Sequence, residues 1–266
     1  MTDPPDNRYI VPGLERGLAI LQLFGPERSK LGAADVARAL NLPRTTVFRL
    51  MQTLSQLGFL ERHDNSFRLG PAVLRLGFEY LAALDLPEIA RPVLDRLRER
   101  LGYPAQVVIR DGREVVVIVK STAASTFSSN VAIGSRLPAH ATVLGRVMLA
   151  DLAEADLRAL YPEPQLISAS PKTPRDLSGL IALLHADRQR GYAISEAYYE
   201  ANISGVAAPI RDERSTVVAA LSVVVPRSSL DPVELRAQLI TDVTAAALEI
   251  SERLNYRAAR LPAKVA

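Results

Sequence analysis

The sequence predicts an α+β protein with two domains, and three observations lead to that expectation. The chain has 266 residues, of which 48% are apolar and 23% charged, so it is long enough for two domains that each bury a core. Apolar residues recur at helical spacing near the start, whereas valine-rich, strand-like runs alternate with helices after position 104. Since short turns join several of those runs, we expect a mainly antiparallel sheet in the second domain.

Three helices are expected before residue 58. The first carries the apolar stripe Leu14, Leu18 and Leu21, which we expect to face the core. Gly32 is an acceptable N-cap for the second helix. Pro43 suits the first turn of the third helix, because its missing N–H costs nothing there.

Two short strand-like runs, 59–62 and 67–69, follow these helices and are joined by the turn formers at 63–66. Helix, helix, short turn, helix and hairpin is the order of a winged helix-turn-helix, whose second paired helix lies in the DNA major groove. The outward face of the third helix has no acidic residue, which favours DNA binding. The alternative interpretation is that this face is simply the solvated surface of a small helical domain. The predicted DNA-binding residues are Arg44, Thr45, Thr46, Phe48, Arg49, Arg62 and Arg68.

Local charge supports this interpretation more than the total of +3 does. The stretch 40–75 contains five arginines against Glu61 and Asp64 only. Such a patch attracts a phosphate backbone without making the whole protein polycationic.

A linker helix is predicted to start at Pro71, with Leu74, Phe78 and Leu81 on one face. One small winged domain cannot bury all of these residues, so we expect the helix to join two copies of the chain, as a homodimer or a dimer of dimers. A two-fold dimer in turn predicts an inverted-repeat operator. The predicted boundaries are 1–70 for the winged helix, 71–86 for the linker helix and 87–258 for the second domain.

Several classes of protein are not expected. The absence of cysteine removes disulfides, thiolate nucleophiles and cysteine metal sites. The three histidines lack partners at metal-ligand spacing, and no nucleotide-binding or nucleophile-elbow motif occurs. We therefore expect neither an enzyme nor a cofactor or metal. With no apolar run of about 18 residues and no export signal, we expect a cytoplasmic protein without a membrane partner.

Five separated phrases resemble the IclR-type bacterial transcription regulators across nearly the whole chain. The opening 9–24 is also similar to the branch that controls protocatechuate and 4-hydroxybenzoate breakdown. The phrases are GLERGLAIL at 13–21, LPRTTVFRL at 42–50, LPAHATVLGR at 137–146, GYA at 191–193 and GVAAPI at 205–210.

The resemblance implies a GAF/profilin-like effector domain that binds a small organic or aromatic acid. Binding of this effector is expected to change the affinity of the protein for its operator. Many members of the family act as repressors. The chain departs from the family's pattern at Arg146, where lysine is frequent, and at Asn202, where glycine is frequent. The effector contacts implied by the resemblance are His140, Ala141, Thr142, Val143, Leu144, Glu196, Glu200, Ser204, Ser222 and Val224.

Two alternatives stay open at this stage. The N–H groups at the expected helix start near His140 and the Thr142 hydroxyl are suited to binding a carboxylate, yet either side chain can equally serve as a helix cap. Glu200 favours a hydroxylated acid, because an ionised carboxylate repels an anion unless it accepts a hydroxyl proton.

At the level of the whole protein, the alternative is a ligand-sensing dimeric module that does not bind DNA directly.

Overall fold

The chain folds into two compact units. The computed structural model describes residues 9–25, 27–82, 84–122, 131–168 and 170–257. The division between the units falls between positions 83 and 84, whereas the sequence predicted the second domain to begin at 87. Positions 83 and 258, which belong to the predicted linker and second domain, lie outside the described residues.

The first unit has the predicted order of a winged helix-turn-helix, with one additional short strand. Strand β1 pairs with β3, which pairs with β2, so that the wing is a three-stranded antiparallel sheet. Its elements are α1 (Pro12–Gln22), β1 (Leu31–Gly32), α2 (Ala33–Leu40), α3 (Arg44–Gln56), β2 (Leu60–His63), β3 (Ser66–Leu69) and α4 (Ala72–Ala82).

Local chemistry explains how α2 begins and ends. The predicted N-cap Gly32 is confirmed, and the Asp35 carboxylate accepts a hydrogen bond from the Gly32 amide at 3.2 Å. Asn41 ends α2 with a φ of +50°. Asparagine tolerates this left-handed conformation better than most residues do, and the turn into α3 follows.

Only part of the predicted apolar stripe of α1 contacts the core. Leu14 and Leu18 are 63% and 51% exposed, whereas Gly17 and Ile20 are buried. Gly17 and Ile20 lie three positions apart, which places them on one face of the helix. Ile20 packs into a core with residues from α2, α3 and the wing, and the half-buried Leu21 packs against the same core. Leu14 and Leu18 face outward within this unit.

The second unit is built on a six-stranded antiparallel sheet with the strand order β6-β5-β4-β9-β8-β7. A short 3-10 helix, Ala139–Ala141, lies between β6 and α6. The elements are α5 (Asp85–Leu101), β4 (Ala105–Asp111), β5 (Glu114–Ser121), β6 (Arg136–Pro138), α6 (Val143–Leu149), α7 (Glu154–Leu160), α8 (Leu177–Arg190), β7 (Ala193–Glu196), β8 (Ser204–Arg211), β9 (Val217–Val225) and α9 (Val233–Arg253).

Both faces of this sheet are covered by helices. Helices α5 and α9 pack against one another and against the strands, and α6 contacts β4, β5, β7, β8 and β9 together with α8. Every residue of α6 is buried. Helix α6 and the sheet residues Ala207 and Ala220 belong to one apolar core. No helix among the described residues is long and apolar enough to cross a membrane.

The sequence pattern of this unit predicts helices over 140–160 and 175–190, the second with Thr173 as its N-cap, a helix that begins at Pro87, and a last helix that begins at Asp231 and Pro232. Several of these boundaries are wrong. The single helix expected over 140–160 is a 3-10 helix followed by α6 and α7. Helix α8 is capped by Asp176, whose carboxylate accepts from the Gly179 amide at 2.8 Å, and not by the predicted Thr173. Helix α5 begins at Asp85, before the predicted Pro87, and α9 begins at Val233 with Pro232 as its N-cap.

Gly145 is required where α6 meets the 3-10 helix. A β-carbon at this position would lie 2.1 Å from the Ala139 carbonyl oxygen and 2.2 Å from its α-carbon. Both are backbone atoms, so no side-chain rotation can relieve the clash.

We expect Gly145→Ala to lower the free energy of unfolding by about 1–3 kcal/mol, the usual cost of overpacking a core. Gly179→Ala is the matched control, because a β-carbon there meets nothing closer than the Asp176 carboxylate at 3.4 Å. Urea denaturation followed by circular dichroism measures both variants. Equal midpoints for the two would contradict the packing argument.

Candidate DNA-binding surface and ligand cleft

The first candidate site is a concave surface of the first unit, which we call the α3 surface. It is formed by the start of α2, the exposed side of α3 and the wing. Five predicted DNA-binding residues line it: Arg44, Thr45, Phe48, Arg49 and Arg62. The other residues of this surface are Gly32, Ala33, Ala34, Asp35, Asp64, Asn65 and Phe67.

Helical spacing explains which α3 residues face outward. Val47 and Met51 are fully buried and lie four positions apart on the core face. Thr45 and Arg49, each two positions from Val47 and four positions from one another, lie on the opposite side and are exposed. Arg44 and Phe48 flank the core face and are also exposed, Phe48 by 41%. Thr46 is only half-buried and does not line the α3 surface.

The two wing arginines differ in their surroundings. Arg68 lies directly across from Glu61 in the β2–β3 register and forms an ion pair with it at 2.6 Å, and it does not line the α3 surface. Arg62 does line it, and its Nε donates to the Asp64 carbonyl at 3.1 Å. The guanidinium of Arg62 is therefore held at the rim of the surface by the turn of the wing.

The second candidate site is a cleft between the start of α6 and the sheet, which we call the α6 cleft. It encloses about 600 Å³ of empty space, part of which is open to solvent. Its lining residues are Gln106, Val131, Leu137, Thr142, Val143, Leu144, Ser195, Tyr199, Glu200, Ile203, Ser204, Gly205, Ser222 and Val224.

The α6 cleft brings together most, but not all, of the predicted effector contacts. Three of those residues, His140, Ala141 and Glu196, do not line it. Two polar residues that line the cleft were not predicted from the sequence. Gln106 lies in the valine-rich strand β4, and Ser195 lies in the short strand β7. The predicted contacts that do line the cleft are Thr142, Val143, Leu144, Glu200, Ser204, Ser222 and Val224.

Strand register explains why Glu196 lies elsewhere. Ser195 pairs with Gly205 and Glu196 with Ser204, and neighbouring side chains of a strand point to opposite faces. Ser195 therefore faces the α6 cleft. Glu196 and its partner Ser204 point to the opposite face, although Ser204 borders the cleft. The Glu196 carboxylate accepts from Arg236 of α9 at 2.6 Å and from the amide of Leu230, which precedes α9, at 2.8 Å.

Thr142 is the N-cap of α6, as one of the two interpretations had it. Its hydroxyl accepts from the Gly145 amide at 3.2 Å and donates to the Pro138 carbonyl at 3.1 Å. The expectation that the helix begins at His140 is wrong, because α6 begins at Val143. Thr142 thus lines the cleft with its hydroxyl already occupied.

His140 lies behind the wall of the cleft and is only 7% exposed. Its Nε2 is 2.8 Å from the Ile167 carbonyl oxygen, and its ring meets Tyr161 edge-on with the ring centroids 5.7 Å apart. Burial raises the pKa of Tyr161 to about 12. His140 therefore packs within this wall, and its buried Nδ1 has no hydrogen-bond partner among the described residues.

A buried ion pair supports the same wall from behind. Arg146 and Asp187 are 2% and 1% exposed, and the Nε and Nη2 of Arg146 each donate to the Asp187 carboxylate at 2.8 Å. Arg146 also donates to the Ile194 carbonyl at 3.0 Å, and its guanidinium lies over the Tyr198 ring at 4.9 Å. Lysine, which is frequent here in the family, cannot make this planar two-pronged contact.

Tyr198 links the ion pair to the cleft. Its hydroxyl donates to the His140 carbonyl at 3.2 Å, and its own carbonyl accepts from Thr173 at 3.0 Å. Burial raises the pKa of Tyr198 to about 12, so the hydroxyl is a neutral donor near neutral pH. Because Tyr199 and Glu200 follow directly, these bonds hold in place the segment that borders the cleft.

Metal binding is not indicated by the described part of the chain, where no group of three or more His, Cys, Asp or Glu residues is placed to hold an ion.

A winged helix-turn-helix followed by a domain with an apolar cleft is the architecture of a ligand-responsive transcription regulator. Residues 13–64 match the family model "IclR helix-turn-helix domain", and residues 78–252 match "Bacterial transcriptional regulator IclR C-terminal". The chain belongs to the IclR family of DNA-binding transcription regulators. The helix-turn-helix match favours DNA binding over the alternative of a sensing module without it.

Relatives of known role resemble the chain over nearly its full length. The HTH-type transcriptional regulator XynR of Escherichia coli is 32% identical, over 94% of this chain and 99% of its own. The Pca regulon regulatory protein of Pseudomonas putida is 30% identical, over 95% and 86%. The crystal structure of an IclR homolog from Microbacterium hydrocarbonoxydans complexed with 4-hydroxybenzoate is 28% identical, with a TM-score of 0.80 over 91% and 99%.

Proposed function

We propose that this chain is a cytoplasmic, non-enzymatic homodimer that binds an inverted-repeat operator through the α3 surface and a small hydroxylated aromatic acid in the α6 cleft. The observation that carries the proposed effector is the cleft itself, which combines apolar walls with a few polar groups. The chain is also similar in fold to a protein complexed with 4-hydroxybenzoate. The Pca regulon regulator among its relatives supports the aromatic class.

The DNA half of the proposal rests on the exposed side of α3. Arg44 and Arg49 are exposed there with no acidic residue on the same helix. Arginine forms two-pronged hydrogen bonds to guanine in the major groove, each worth about 1–3 kcal/mol. Arg62 at the rim is suited to a phosphate contact, whereas Arg68 is already paired with Glu61.

We expect Arg44→Ala and Arg49→Ala each to weaken operator binding about tenfold or more, because each removes one base contact. Mobility shift with promoter fragments and random duplex at fixed salt measures the loss. Arg158→Ala is the control of equal charge change, since Arg158 is exposed on α7 of the other unit. Wild-type affinity in both α3 variants would rule out this helix as the DNA-reading element.

The charge of the α6 cleft restricts the effector. Glu200 is the one charged residue among the described residues that line it, and it is exposed at the mouth. An ionised carboxylate there repels an anion but accepts a hydrogen bond from a hydroxyl group. The effector class that satisfies both conditions is an acid with a hydroxyl group at some distance from its carboxylate.

We expect Glu200→Gln to reduce the preference for 4-hydroxybenzoate over benzoate about tenfold, because hydrogen bonds to charged groups contribute about 1.5–3 kcal/mol. Calorimetric titration of both ligands measures the preference. The control is Glu196→Gln, the same substitution four residues away on the opposite face of the sheet, which should leave the preference unchanged. An unaltered preference in Glu200→Gln would place the hydroxyl group elsewhere.

The dimer is supported by apolar residues that α4 leaves uncovered within its own unit. Leu74, Leu76 and Tyr80 are 67%, 56% and 54% exposed. The side chain of Phe78, which the sequence analysis placed in the same interface, lies outside the described residues. Leu76 and Tyr80, four positions apart, share one side of α4, and Leu74 lies on the other side. Large apolar residues are thus exposed on both sides of this helix, which is typical of a protein–protein contact.

We expect Leu74→Glu to shift the protein from dimer to monomer, since the substitution adds a charge to the apolar contact. Sedimentation velocity at micromolar concentration distinguishes the two states. Ile167→Glu is the control, because Ile167 is an equally exposed apolar residue, at 86%, in the other unit. A wild-type monomer, or a Leu74→Glu dimer, would contradict the proposed interface.

A further inference from the structure

Two polar side chains form the floor of the α6 cleft. Gln106 on β4 and Ser222 on β9 are paired directly across the two strands, so their β-carbons lie on one face, about 5 Å apart. This face is the cleft face. Val224 lies two residues after Ser222 on β9 and so shares its face, Gly205 is paired with Val224, and both line the cleft.

Neither side chain is seen to hydrogen-bond to another residue in the described part of the chain. Ser222 is fully buried, and its hydroxyl has no hydrogen-bond partner among the described residues. Gln106 is 7% exposed, and none of the hydrogen bonds within the described part of the chain involves its side chain. Buried polar groups are almost always hydrogen-bonded in folded proteins, so the unpaired Ser222 hydroxyl, with the Gln106 amide beside it at the floor of a cleft, points to a ligand.

The electrostatics of the cleft orient that ligand. Glu200 stands at the exposed mouth and the two neutral donors lie at the buried end. Lys120 does not line the cleft; its ammonium donates to the Val131 carbonyl at the wall, and burial lowers its pKa. A carboxylate is therefore repelled at the mouth and meets an amide N–H and a hydroxyl donor at the floor.

We propose that Gln106, assisted by Ser222, binds the acid group of the effector and selects for it, while the opposite end of the ligand reaches Glu200. The inference rests on the proposed function, because it assumes an organic acid in this cleft. It assigns a role to a residue that neither the motifs nor the family resemblance singled out, and it fixes the direction in which the ligand enters.

The test compares 4-hydroxybenzoate with 4-methylphenol, which replaces the carboxylate by a methyl group. Calorimetric titration of wild type should show a preference for the acid. In Gln106→Leu the affinity for 4-hydroxybenzoate should fall roughly tenfold or more, the loss expected for one hydrogen bond to a charged group. The affinity for 4-methylphenol should stay equal or rise, because leucine leaves no unsatisfied amide. Ser222→Ala should act in the same direction.

Two controls separate recognition from damage to the fold. Gln189→Leu makes the same substitution at an exposed position of α8 and should change neither affinity. A purely structural defect in Gln106→Leu would weaken both ligands equally, and this result would overturn the inference while leaving the proposed function intact. An unchanged preference for the acid in both variants would do the same. Wild type that binds neither ligand, or prefers 4-methylphenol, would overturn the aromatic-acid effector and the inference together.

Discussion

The buried ion pair between Arg146 and Asp187 holds together the elements from which the α6 cleft is built. It joins α6 to α8, and Arg146 adds a hydrogen bond to Ile194 on β7 and a contact with the Tyr198 ring. Removing one partner of such a pair costs about 3–5 kcal/mol, because the other charge is left buried. The position of α6 on the sheet is therefore strongly determined, and so is the wall that Val143 and Leu144 present to the cleft.

The close approach at Gly145 works together with this ion pair. The 3-10 helix touches α6 through backbone atoms, and only a glycine permits that distance. Thr142 caps α6 at the same junction, and its hydroxyl proton is donated to the Pro138 carbonyl, so it is not available to a carboxylate. Polar recognition in the cleft then falls to the sheet, where the buried Ser222 hydroxyl has no partner among the described residues and Gln106 lies beside it.

The sequence predicts the order of elements better than their details, for identifiable reasons. Caps and turn formers such as Gly32 and Asp64 act locally, so the winged helix-turn-helix is visible without a structure. Strand β1 has two residues and leaves no periodic signal. The exposed face of α1 and the break in the helix expected over 140–160 depend on packing partners far along the chain, which a periodic pattern does not reveal.

The candidate site shows the same division. The acid-free face of α3 can be predicted from helical spacing alone. In β7, by contrast, Ser195 faces the cleft in place of the predicted Glu196, because neighbouring residues of a strand point to opposite faces. The position of Gln106 in the cleft is not visible in the sequence, because a single polar residue near the start of a valine-rich strand is common.

The magnitudes also indicate how little is needed for regulation. A ligand shifts DNA binding only by the difference between its affinities for the two arrangements of the protein. A tenfold change in operator affinity corresponds to about 1.4 kcal/mol, which is comparable to one hydrogen bond between a carboxylate and a neutral donor. A contact such as that of Gln106, if it is formed in one arrangement and lost in the other, is therefore sufficient. Apolar burial in the cleft can then supply affinity, while the polar floor supplies both selectivity and the switch.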